Sequence, residues 1–142
     1  MTPEFLSAVA DTLFPGDDAA PPLPSATTAG VAARLRDHLA TGRDRAACGE
    51  VLEAIARAAG GDDAFVRSDA DVRVDTLKRV EAELAGPFRT LVSLALRDYY
   101  EAEAVLLAMG WRAAPPQPEG HDMPPFDDTL LEQVKRRGRM WR

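Results

Sequence analysis

The sequence predicts an all-α fold: a single-domain bundle of about five or six helices followed by an irregular, proline-rich C-terminal arm. Three observations carry that prediction. Apolar residues recur at spacings of three and four in one segment after another. Glycine and proline interrupt those segments at Pro15-Gly16, Gly42, Gly60-Gly61, Gly86-Pro87 and Gly110. No stretch alternates apolar and polar residues as a half-buried strand would. Residues 1–110 are therefore expected to form the helical body. Residues 111–142 are expected to form the arm, packed on the body or on a partner.

The elements follow in order. Thr2 is placed to accept the first unsatisfied backbone N–H of a helix, and Pro3 suits its first turn. Phe5, Val9, Thr12 and Leu13 continue the helical spacing, and Phe14-Pro15-Gly16-Asp17-Asp18 ends it. Residues 19–25 read as an extended, proline-rich connection. A second helix is predicted from about Thr28 to Ala40, with Val31, Leu35 and Leu39 on one face and Gly42 as its stop. A third follows Asp44, turns Val51, Leu52, Ile55 and Ala59 inward, and closes at Gly60-Gly61.

Asp62, Asp63 and Phe65 read as a short linker. Ser68-Asp69-Ala70-Asp71 has the spacing of a capping box, with Asp in place of Glu or Gln, ahead of a helix carrying Leu77, Val80 and Leu84 on its core face. After Gly86-Pro87, Phe88, Leu91, Val92, Ala95 and Tyr99 form the most apolar stripe. It is expected to continue past a kink near Tyr100-Glu101 through Val105, Leu106 and Met109. Residues 111–126 hold five prolines (115, 116, 118, 124 and 125), which exclude helix and central strand. Asp127 or Asp128 is expected to cap a last short helix with Leu130, Leu131 and Val134.

Composition narrows function. The chain has 142 residues and a net charge of −6, which disfavours non-specific binding to nucleic acid. A single cysteine, Cys48, rules out an intramolecular disulfide and paired-cysteine metal sites; it reads as a small buried residue of an alanine-rich helix. No run of about 18 apolar residues is present, so no membrane insertion is expected. The N-terminus shows no basic region followed by an apolar run. The location expected is therefore cytoplasmic, or periplasmic if an exported partner carries the chain.

Catalytic patterns are lacking. There is no glycine-rich dinucleotide or phosphate loop, and no glycine-flanked nucleophilic serine around Ser7, Ser25, Ser68 or Ser93. His38, near a helix end, reads as a structural cation favoured by the dipole. Asp17-Asp18 and Asp62-Asp63 lack the alternating oxygen ligands of a calcium loop. An enzyme using Asp17, Asp18 and His121 has no spacing to support it, so no catalytic, cofactor-binding or metal-binding residue is assigned. The arm is more informative. Trp111, Phe126, Met140 and Trp141 lie with a basic end (Lys135, Arg136, Arg137, Arg139 and Arg142), and aromatic and arginine side chains are enriched in interface hot spots.

The two ends together resemble a known family. Residues 6–18 read Leu-Ser-Ala-Val-Ala-Asp-Thr-Leu-Phe-Pro-Gly-Asp-Asp, and Ala-Gly-Val follows at 29–31. Met-Gly-Trp stands at 109–111, Pro-Pro-Gln-Pro-Glu-Gly at 115–120, and Leu-Leu-Glu-Gln-Val-Lys-Arg-Arg-Gly-Arg-Met-Trp-Arg at 130–142. This order is similar to the gluconate 2-dehydrogenase subunit 3 family, the small subunits of flavin-dependent sugar and polyol dehydrogenases.

The resemblance implies a non-catalytic accessory subunit. It would bind and help mature a large FAD-dependent flavoprotein of the glucose-methanol-choline type, with a cytochrome subunit in the same complex. The FAD and the catalytic histidine would belong to the large subunit, so no cofactor is expected in this chain. The expected partner-binding residues are Phe14, Pro15, Asp17, Asp18, Trp111, Phe126, Arg139, Met140, Trp141 and Arg142. The isolated chain is expected to keep an apolar patch through which it can form a homodimer. The sequence departs from relatives that carry a twin-arginine signal, so either the partner supplies an export signal or the complex works in the cytoplasm. The competing reading is a stand-alone helical protein-binding or regulatory module.

Overall fold

The computed structural model describes residues 1–111, 120 and 127–137. Seven helices occupy the body: α1 (Pro3–Leu13), α2 (Val31–Thr41), α3 (Arg45–Ala59), α4 (Asp62–Arg67), α5 (Ala70–Glu83), α6 (Ala85–Tyr100) and α7 (Glu103–Ala108). In the arm, a 3-10 turn over Asp128–Leu131 runs into α8 (Glu132–Arg136). No strand occurs among the described residues. No helix among them is long and apolar enough to cross a membrane.

The predicted stripes become the core. Helix α3 sits centrally, packed on α2, α4, α5 and α6, while α1 lies against α2, α4 and α5. Phe5 and Val9 of α1, Val31 and Leu35 of α2, Val51, Leu52 and Ile55 of α3, and Leu91 of α6 are all buried in one cluster. Removing side chains of this size from water stabilises the fold by roughly 1.5–3 kcal/mol each before chain entropy is counted. Local signals agree with the packing. The Thr2 hydroxyl accepts the Phe5 N–H at 3.2 Å, and Gly60 closes α3 in the left-handed conformation.

The structure corrects the sequence reading in four places. Residues 62–67 are not a linker but helix α4. Phe65 is completely buried, edge-on to Phe5 at 5.5 Å, and the Asp62 carboxylate accepts the Thr2 N–H at 2.9 Å. With α7 also a separate helix, the body has seven helices, in the all-α single-domain bundle expected. The Ser68 capping box does not form. Its hydroxyl donates back to the Ala64 carbonyl (2.8 Å) and finishes α4, while Asp69 begins α5 without a side-chain cap. Helix α2 begins at Val31 rather than Thr28, because Gly30 takes a positive φ of 81°. The kink near Tyr100-Glu101 is a full break, and α7 starts afresh at Glu103. In the arm, Asp127 does cap: its Oδ1 accepts the Thr129 N–H (2.9 Å) and hydroxyl (2.6 Å). Those two bonds hold the Asp127 carboxyl below the usual range.

Candidate functional site

The Phe14–Asp18 turn follows α1 directly and leads into the proline-rich connection. Gly16 has φ +78°, and a Cβ there would meet the Leu23 carbonyl oxygen and the Ser25 nitrogen at 2.8 Å each. Only glycine fits so close a backbone approach. Asp17 closes the loop that follows: its N–H donates to the Leu23 carbonyl (3.0 Å), and its Oδ1 accepts the N–H groups of Ala19 and Leu23 (3.1 Å each). The Ala26 N–H returns to the Phe14 carbonyl at 2.9 Å. From α6, the Tyr99 hydroxyl donates to the Pro24 carbonyl at 2.7 Å, and its ring stacks on Phe14 with centroids 5.0 Å apart. Burial, then Tyr100, then Asp17 push the Tyr99 phenol up, so it remains a donor at neutral pH.

Two depressions flank the turn and share Pro15. One, about 270 Å³, runs along Phe14, Gly16, Asp17 and Leu23 to Tyr99 and Tyr100. The other, about 340 Å³, lies between α1 and α5 and is lined by Asp11, Thr12, Ser25, Arg73 and Val74. Neither is a closed chamber; both are surface features into which side chains of another molecule can fit. Apolar side chains are exposed nearby in the chain: Leu96 and Tyr100 stand one turn apart on α6, Tyr100 at 45% exposure. At the end of α7, Leu107, Met109 and Trp111 are exposed, Trp111 at 65%.

The expected binding residues therefore divide. Pro15, Asp17 and Asp18 are exposed on the turn, and Phe14 is half-buried beneath it. Asp17 uses one carboxylate oxygen to hold the loop, so its first role is architectural. Trp111 is not part of the Tyr100 depression; its N–H donates to the Leu106 carbonyl at 2.8 Å, ending α7. Phe126, Arg139, Met140, Trp141 and Arg142 lie outside the described residues, as does His121.

Sequence reading missed Tyr99, Tyr100 and Arg73 as parts of this face. Tyr99 belongs to the predicted core stripe, where its ring lies, but its hydroxyl reaches out to the loop. For Arg73 a signal existed: it precedes Leu77 by four residues, a charge on the core-facing stripe of α5.

The other polar centre is architectural. Asp98 is 3% exposed and accepts from His38 Nε2 at 2.8 Å, with Arg97 and Arg34 at 3.6 and 3.8 Å. A buried carboxylate needs such partners. His38 thus pins α2 to α6, a stronger reason for its position than the helix dipole alone. Cys48 is buried as expected, and burial, then Asp44, push its thiol up, away from the nucleophilic form.

Neither the comparison with curated proteins nor that with solved structures gives a match. The comparison with protein families does: residues 2–115 match gluconate 2-dehydrogenase subunit 3. That span covers every helix of the body, the Phe14–Asp18 turn and the Met-Gly-Trp segment at 109–111, and stops short of the basic end. The chain belongs to the gluconate 2-dehydrogenase subunit 3 family.

Proposed function

We propose that this chain is the non-catalytic accessory subunit of an FAD-dependent sugar or polyol dehydrogenase of the glucose-methanol-choline type. It binds and stabilises the catalytic flavoprotein, which holds the FAD and the reacting groups. The observation that carries the reading is the family match over residues 2–115. Supporting it is a face with the makings of an interface: a proline-glycine turn and an adjoining tyrosine-lined depression with Tyr100 exposed. A subunit that binds the folded flavoprotein but not its unfolded chain stabilises it by mass action, by about 2.7 kcal/mol at a free concentration one hundred times Kd.

Co-purification from the native host tests this. A stoichiometric yellow flavoprotein retained by the tagged chain is the expected result. A colourless chain with no such companion favours the stand-alone module. Deleting residues 139–142 is expected to leave the helical circular dichroism unchanged while reducing flavoprotein recovery. Equal recovery would remove the basic end from the interface.

A further inference from the structure

The depression beside the Phe14–Asp18 turn joins an open aromatic ring to an acid, with no base among its lining residues. Tyr100 stands at 86° to Tyr99, centroids 5.3 Å apart, and Tyr99 stacks on Phe14, so the three rings form a corner. Tyr99 is buried within it, whereas Tyr100 is 45% exposed and can be reached from solvent. Asp17 lines the same depression and is exposed. Its Oδ1 holds the Ala19 and Leu23 N–H groups; among the described residues its Oδ2 has no hydrogen bond, and neither Asp17 nor Asp18 is in an ion pair. Nearby bases do not cancel this charge. Arg97, one turn before Tyr100, and Arg34 both turn to Asp98, at 3.6 and 3.8 Å.

We infer that this depression receives the guanidinium of an arginine on the catalytic subunit, between the ring of Tyr100 and the carboxylate of Asp17. The inference rests on the accessory-subunit reading and names what that face recognises. An aromatic ring attracts a cation through its quadrupole, and a free carboxylate oxygen adds a charged acceptor. Arginine suits both, because its flat, weakly hydrated head stacks on a ring while its N–H groups donate at the edge. The space, about 270 Å³, has room for such a head group. The chain's own described basic residues are not the occupant: Lys135, Arg136 and Arg137 are exposed, and the one ion pair among them is Arg136 with Glu132.

The test uses the full-length tagged chain, co-expressed with the flavoprotein, as wild type, Tyr100→Leu, Tyr100→Phe and Asp17→Asn. Retention is compared per folded chain, with circular dichroism of each variant alone as the measure of folding. Tyr100→Leu, which keeps apolar bulk and loses the ring, is expected to weaken retention by about fivefold. Tyr100→Phe, which keeps the ring, should stay near wild type. Asp17→Asn keeps an oxygen for the Ala19 and Leu23 N–H groups and removes the charge. It should retain less flavoprotein at low salt, with the difference closing as salt rises. Free arginine in the wash should release more flavoprotein from wild type than free lysine at equal concentration, and this excess should vanish in Tyr100→Leu.

Undiminished retention by Tyr100→Leu overturns the inference while leaving the accessory reading intact. A loss in Tyr100→Leu with none in Asp17→Asn at any salt also overturns it, by showing an uncharged occupant. If Tyr100→Leu has no effect once residues 139–142 are deleted, the occupant is the chain's own basic end and not the partner. Equal release by arginine and lysine overturns guanidinium as the bound group. A wild-type chain that retains no flavoprotein defeats the accessory reading itself.

Discussion

Helix α3 and the segment from Phe14 to Ser25 are each ordered, but by different forces. Helix α3 is fixed by apolar burial: Cys48, Val51, Leu52, Ala54 and Ile55 all face the core. In the segment, every residue is exposed or only half-buried, and order comes from directed bonds: Asp17 to Ala19 and Leu23, Phe14 to Ala26, and Tyr99 to Pro24. Burial is non-directional and scales with area, so many sequences achieve it. A loop held by a few bonds depends on particular atoms. A body of the first kind carrying a face of the second kind suits a protein whose surface must present a fixed shape.

The largest expected effect lies on the burial side. Phe65→Ala removes a completely buried ring that packs edge-on against Phe5, and should destabilise the chain by about 4 kcal/mol. Urea unfolding followed by circular dichroism measures this. Helix α4 is only six residues long, too short to persist without that ring, so the loss should spread to α1 and α3. A cost below about 1 kcal/mol would mean that the site collapses around the gap, and that α4 is less coupled to the core than its position implies.

That same helix marks the limit of what the sequence disclosed. Apolar periodicity over 11 residues or more made α1, α3 and α6 legible, stripe and all. Residues 62–67 are too few for any period, and only the burial of Phe65 against Phe5 turns them into a helix. The candidate face was legible in part. Pro15-Gly16-Asp17 announces a turn by composition, but the partners Tyr99 and Pro24 lie 75 residues apart in the chain, and no local rule joins them. Arg73 was visible as a charge on a core stripe; that its Nε is buried without a partner among the described residues needed coordinates.

Gly16→Ala tests the loop side with an intermediate effect. The added Cβ would meet two backbone atoms rather than a movable side chain, and alanine at a positive φ is itself unfavourable, so the total is about 2 kcal/mol. The effect should be local. Far-UV circular dichroism should stay helical while protease cleavage within residues 17–23 accelerates, because only the loop opens. If global unfolding shifts by the full amount with no new cleavage, the loop and the core form one cooperative unit, and the contrast between them fails.

Tyr99→Phe carries the smallest effect and separates the two forces on a single side chain. The ring, stacked on Phe14, belongs to the apolar core, and the hydroxyl, bonded to the Pro24 carbonyl, belongs to the loop. Phenylalanine keeps the first and deletes the second, at about 1 kcal/mol near neutral pH. The pH dependence distinguishes this from a packing change. The phenol is pushed up in the folded chain. Below the unfolded value, about 10, both states hold the proton and Tyr99 adds no slope. Above it the unfolded chain binds fewer protons, so stability falls as pH rises towards the folded value. Wild type should therefore lose more stability than Tyr99→Phe does as pH rises above about 10. Parallel curves would show that the hydroxyl ionises as freely in the folded chain as in the unfolded one. The loop would then be held by the Phe14 stack and the Asp17 bonds without it.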